Sequence, residues 1–311
     1  MLRNRSPHLR AVLQALFVTF LWSTSWVFIK IGLKEDIPAL TFAGLRYTLA
    51  FAVLLLICLR RPMLLAPLRT LSRREWVMLI LLGLLFYTVN QGAQFLGLAA
   101  LPAATVNLLL SFSAVIVTLL GIYILAERPT ALQWGGVGLY IVGVLLYFYP
   151  VSLPADQVLG VVIVLVGVLA NVGATLIGRS INRRGDLHPL AVTMVSMGIG
   201  SIVLLATGIA TQGLPPLSPA NWLIVVWLAL ANTALAFTLW NYTLRTLSAM
   251  ESSIINNAML IQIPILAWLF LGETFTWKEG IALALAGLGI LAVQLRRWAK
   301  LPLAARDLSE T

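Results

Sequence analysis

The sequence predicts an all-α integral membrane protein of ten transmembrane helices, arranged as two inverted five-helix repeats. Three observations carry this expectation. The 311-residue chain is 60% hydrophobic and 10% charged, with a mean hydropathy of +0.96. A water-soluble domain carries about 25% charged residues, so this chain cannot cover itself for water. Apolar runs of about 20 residues, enough to cross a bilayer as a helix, recur along its whole length. The second half also repeats the first at a shift of 146 residues.

The spans read in order as follows. Residues 9–33 are too long for a cleavable signal peptide, and no small-residue cleavage site follows them. Residues 39–59 enclose Arg46 and end near Cys58, the single cysteine, which excludes a disulfide framework within the chain and a multi-cysteine metal site. Spans 76–98 and 102–125 are joined by a very short turn, and 131–148 opens on Trp134, Gly135 and Gly136. The second set is 157–178, 189–208, 221–243, 248–271 with Pro264 inside it, and 277–297. The expected organisation is therefore a first repeat at 9–148, a second at 157–297, and a cytoplasmic tail at 298–311.

Charge orients these spans. Apart from Arg46, every Lys and Arg falls on one set of alternating segments except Lys30, Lys34 and Lys278. This is the positive-inside pattern, and it puts both termini in the cytoplasm of a cell (inner) membrane protein. The net charge of +10 is thus topological and gives no reason to expect nucleic acid as a partner.

At the 146-residue shift Leu125 falls on Leu271, Glu127 on Glu273, Thr130 on Thr276 and Gly143 on Gly289; upstream, Leu101 and Ala103 fall on Leu247 and Ala249. Five helices is an odd number, so the second copy enters the membrane from the opposite side. Inverted repeats are a recurring plan of secondary transporters, with the substrate held between the halves near the midplane.

The stretches FLWSTSWVFIKIGL and IPALTFAGLRY in the first half, and LWNYTLRTLSAMESSIINNAMLIQIPILAWLFLGETFT in the second, resemble EamA-type members of the drug/metabolite transporter superfamily. The resemblance covers roughly residues 10 to 297. It implies a ten-helix carrier, commonly an exporter of amino acids and other small metabolites.

Polar and aromatic side chains sit at the estimated midpoints of several spans: Trp22, Ser25 and Trp26; Tyr87, Asn90, Gln91 and Gln94; Asn107 and Ser111; Asn171; Asn232; Asn256 and Asn257. Unpaired polar atoms facing lipid lose their water, so these groups must point inward. Each can pair helices, or the set can line a solvated binding path. Trp22 and Trp26 are neighbours at i,i+4 and offer either packing or apolar walls for a substrate. Arg46 is the one charge well inside a helix, suited to a substrate carboxylate or phosphate, or to tying helix carbonyls.

Glu127 and Glu273 end helices where a carboxylate is disfavoured by the dipole, so each should pair, with Lys278 as the candidate for Glu273. They read as latches, and Pro264 as a kink. No acid or histidine lies at a helix midpoint and no phosphate-binding loop follows a strand, which points to facilitated transport or exchange without ATP, cofactor or metal. Nucleotide sugars or lipid-linked cargo remain the alternative substrates. An intramembrane enzyme would need a paired acid and base that the scattered carboxylates do not supply.

Overall fold

The computed structural model describes residues 5–125, 131–149, 155–184, 187–243, 246–247 and 255–294, and these are helical with no strand among them. The helices are α1 (Arg5–Lys34), α2 (Ala39–Leu59), α3 (Arg73–Ala100), α4 (Ala103–Leu125), α5 (Ala131–Phe148), α6 (Ala155–Arg184), α7 (Pro189–Gln212), α8 (219–243), α9 (Met259–Leu271) and α10 (Trp277–Gln294). Among the described residues seven are long and apolar enough to cross a membrane, α1, α2, α3, α5, α6, α7 and α8, and the stretches Ala103–Val117 of α4 and Ile255–Leu271 are shorter apolar helices. Glu127 and the expected tail 298–311 lie outside the described residues.

Caps set several boundaries. Ser72 begins α3 by accepting the amide of Glu75, while the Glu75 carboxylate accepts the Ser72 amide, a reciprocal capping box. Ser218 begins α8 in the same way on the amide of Asn221, 146 residues later. Helix α9 ends at Gly272, whose φ of 69° is left-handed backbone that glycine adopts without a Cβ clash.

The two halves share a further irregularity. In α3 the residues Leu84–Asn90, and in α8 the residues Leu230–Leu235, form one wide turn in which amides reach back five residues. Gln91 N bonds Phe86 O, and Ala236 N bonds Ala231 O. The wide turns start at residues 84 and 230, again 146 apart. Such bulges leave backbone groups partly free and concentrate at functional positions.

Packing follows the repeat as well. The second helix of each half pairs α2 with α7, and the last pairs α5 with α10. In the first interface, Gly44 faces the backbone of Leu205, and Gly208 faces Thr41. In the second, a Cβ on Gly289 would lie 2.5 Å from Tyr140 N, and one on Gly143 would lie 2.7 Å from Ala282 O. Between helices surrounded by lipid, where apolar surface gains little by leaving the solvent, close backbone approach supplies the attraction. The glycines Gly136, Gly143 and Gly289 thus form a tight seam, while Gly135 faces open space and Gly287 is only in ordinary contact.

Overpacking this seam should cost about 1–3 kcal/mol. Gly289→Val is expected to lower the melting temperature in detergent, and Gly135→Val to leave it unchanged. Equal melting of both variants would show that the seam is not tight.

Candidate functional site

The polar centre is built where α2, α3 and α8 meet. Arg46 is 4% exposed, and its Nε donates to Thr233 Oγ1 at 3.1 Å, joining the two repeats. Thr233 sits in the wide turn of α8, and its hydroxyl donates to Leu228 O, five residues back, at 2.9 Å. The local widening therefore presents the Thr233 oxygen to the arginine.

The guanidinium lies 5.0 Å from the ring centroid of its neighbour Tyr47. Tyr47 Oη donates to Gln91 Oε1 at 2.6 Å, and its ring meets Tyr87 edge-on at 5.6 Å. Among the described residues the terminal amino groups of Arg46 have no hydrogen bond, so a buried cation keeps its two-pronged edge free. Asn90, on the same helix as Tyr87, is 4% exposed and its Oδ1 has no partner among the described residues. A buried acceptor without a donor is costly, and such atoms mark places where water or a ligand completes the bonding.

The structure distributes the other expected residues differently. Asn232 is fully buried and ties α8 to α1, its Nδ2 donating to Leu21 O and to Thr24 Oγ1, while its Oδ1 has no partner among the described residues. Ser23 meets Gln262 Oε1 at 2.8 Å, joining α1 to α9. Asn107 donates to Met259 O at 3.3 Å, and Asn171 to Ser113 Oγ at 3.1 Å. Ser25 and Ser111 donate to carbonyls of their own helices, at Trp22 O and Leu108 O; Ser111 also meets Tyr140 Oη at 3.0 Å. The contacts of Asn232, Ser23, Asn107, Asn171 and of Ser111 with Tyr140 pair helices, whereas the bond of Ser25 stays within α1.

Trp22 packs against Phe237 and Trp240, and Trp26 is buried in the main core. Their i,i+4 spacing does not make them one wall. Gln94 is buried, Asn256 is exposed and Asn257 is half-buried. Pro264 is buried inside α9. Tyr47 was not among the expected site residues; its signal was a phenol directly beside the intramembrane arginine.

Lys278 does not hold Glu273 as expected: its Nζ donates to Tyr149 O instead. Glu273 Oε1 accepts the amide of Ala103 at 2.7 Å, at the start of α4. This end of the bundle also holds a cavity of about 550 Å³, lined in part by Thr105, Tyr147, Glu273, Lys278 and Glu279. No cluster of three His, Cys, Asp or Glu side chains with metal-binding geometry occurs among the described residues.

A polytopic helical membrane protein whose two halves meet around a buried, half-satisfied arginine has the build of a membrane carrier rather than of an anchor. The chain belongs to the EamA-like transporter family, which matches it twice, over residues 9–149 and 158–295.

It is 26% identical over 277 residues to the uncharacterized transporter YcxC of Bacillus subtilis strain 168, covering 86% of this chain and 87% of that one. It is 27% identical over 293 residues to the uncharacterized inner membrane transporter YedA of Escherichia coli K12, covering 91% and 90%. The S-adenosylmethionine/S-adenosylhomocysteine transporter of Chlamydia trachomatis serovar D is 24% identical over 274 residues, covering 82% and 80%. A solved crystal structure shares the fold, with a TM-score of 0.66 at 19% identity over 92% of this chain and 98% of its own.

Asn232 and Asn90, both buried, should separate experimentally. Asn232→Leu removes the tie between α8 and α1 and should cost about 0.6–2 kcal/mol, read as a lower melting temperature. Asn90→Leu removes an unpaired oxygen and should leave stability unchanged or raise it. A large destabilisation by Asn90→Leu would mean that its side chain is a structural strut.

Proposed function

We propose that the chain is a secondary transporter that exports amino acids or closely similar small metabolites by alternating access. In this reading ten helices cross the membrane as two inverted repeats, 9–148 and 157–297, with both termini in the cytoplasm. The observation that carries it is the free edge of Arg46, buried between residues of both repeats. A guanidinium with two unpaired amino groups is suited to a carboxylate in bidentate geometry. The unpaired Oδ1 of Asn90 is an acceptor suited to an ammonium group. Tyr87 and Gln91 hold Tyr47 beside the arginine, and Gln94 continues the polar face towards the next turn.

An α-amino acid carries both complementary charges, and so do the two compounds in the name of the chlamydial relative. The reading assigns no ATP, cofactor or obligatory proton to the cycle, because no carboxylate or imidazole accompanies Arg46 in the cluster described above.

Counterflow into liposomes with purified protein tests this, using labelled amino acids, S-adenosylmethionine, dipeptides and nucleotide sugars, with and without a pH gradient. Uptake of compounds with an α-amino carboxylate, without a gradient, is the expected result. Arg46→Ala should reduce it by about 10–100-fold, the loss of a charge-assisted hydrogen-bonded pair at about 1.5–3 kcal/mol. Uptake confined to nucleotide sugars, or unchanged by Arg46→Ala, would overturn the assignment.

A further inference from the structure

The corner between α3 and α4 is gripped from both halves of the chain. Helix α4 starts at Ala103 directly after Pro102, whose carbonyl accepts the amide of Val106 at 3.1 Å. Pro102 therefore stands at the cap position, and its side chain has no oxygen to accept the free amides of the first turn. The acceptor arrives from the other repeat. Glu273 Oε1 takes the amide of Ala103 at 2.7 Å, and Oε2 takes that of Ala104 at 3.5 Å. A carboxylate at a helix N-terminus is also favoured by the helix dipole.

The tripeptide Leu271-Gly272-Glu273 explains the delivery. Gly272 ends α9 in left-handed conformation, its amide and that of Glu273 both return to Ala267 O, and the carboxylate is turned onto α4. On the other side of the corner, Lys30 of α1 donates Nζ to Leu101 O at 2.6 Å. Two residues further along α4, Thr105 meets Tyr147 Oη at 3.0 Å.

We propose that Glu273 is a latch that keeps this face of the transport path shut. Its carboxylate joins the second repeat to α4 of the first while the face is closed, and leaves Ala103 and Ala104 when the halves part. The inference rests on the alternating-access reading above, whose topology puts this face outside the cell. The 550 Å³ cavity bordered by Glu273, Tyr147 and Lys278 makes the exchange reversible: groups released there can meet water instead of hydrocarbon.

The test is the labelling rate of a buried reporter by a membrane-impermeant maleimide, in right-side-out and inside-out vesicles. The reporter is Gln94→Cys in a Cys58→Ala background, because Gln94 is 8% exposed and lies on α3 between the corner and the arginine. Glu273→Ala should raise the labelling rate by about tenfold, the factor set by a helix cap of ordinary strength; Glu273→Gln should raise it less.

Adding Pro102→Asp to Glu273→Ala restores a local cap on α4 without joining the halves. Labelling that stays high in this double variant supports the latch. A return to the parent rate would show that Glu273 merely caps α4, and that would overturn the proposal, as would equal labelling of all the variants. The readout does not depend on knowing the substrate. Failure of the counterflow panel would remove the amino-acid reading and leave the latch standing, and faster labelling only in inside-out vesicles would keep the latch and reverse the assigned orientation.

Discussion

The constraint on which this structure depends is that lipid offers backbone amides and carbonyls no partner. Helices satisfy it along their lengths, so the places that need special provision are their ends and their interruptions. At the ends, Ser72 and Ser218 cap the third helix of each half, and Glu273 supplies to α4 the acceptor that Pro102 cannot. At the interruptions, the wide turns of α3 and α8 free backbone positions in the interior of the bundle. Thr233 uses one of these, bonding Leu228 O and turning its oxygen to Arg46.

The same constraint sorts the polar side chains. Asn107, Asn171, Asn232 and Ser23 bond groups on neighbouring helices and so hold helices together, while Ser25, Ser113, Ser196 and Ser201 return to carbonyls of their own helix. Among the described residues the buried oxygens without a donor are the Oδ1 atoms of Asn90, Asn221 and Asn232. Of these, Asn90 shares α3 with the Tyr87 and Gln91 that contact Tyr47 beside Arg46, whose terminal nitrogens are also without a hydrogen bond. A membrane protein keeps such incompletely bonded groups in its interior at a cost, and binding a polar ligand offsets that cost.

Duplication gives the bundle its plan, and departures from duplication give it its candidate site. The caps at residues 72 and 218 and the wide turns at 84 and 230 are equivalent, as are the α2–α7 and α5–α10 seams within the paired halves. Arg46, Tyr47 and Asn90 have no such partners in sequence at the repeat shift, where Val192, Thr193 and Ala236 stand. A symmetrical frame thus holds an asymmetrical polar centre, and its charged contact to the second half is made through Thr233 alone among the described residues.

Much of the helical fold was legible in the chain, because apolar length and the 146-residue repeat are local or additive quantities. Arg46 could be picked out for the same reason: a charge in an apolar run is conspicuous wherever its partners lie. Which polar residues pair helices and which stay free was not legible. Asn107, Asn171 and Asn232 are the same residue type as Asn90, and only a carbonyl or hydroxyl placed to accept from their Nδ2 groups separates them. Trp22 and Trp26 are adjacent on one helical face, yet different neighbours bury them. The partner of Glu273 was hidden too, since a backbone amide 170 residues away leaves no mark in the sequence. Composition and periodicity determined what the helices are; the angles and registers at which they meet decided which of their polar atoms remain available.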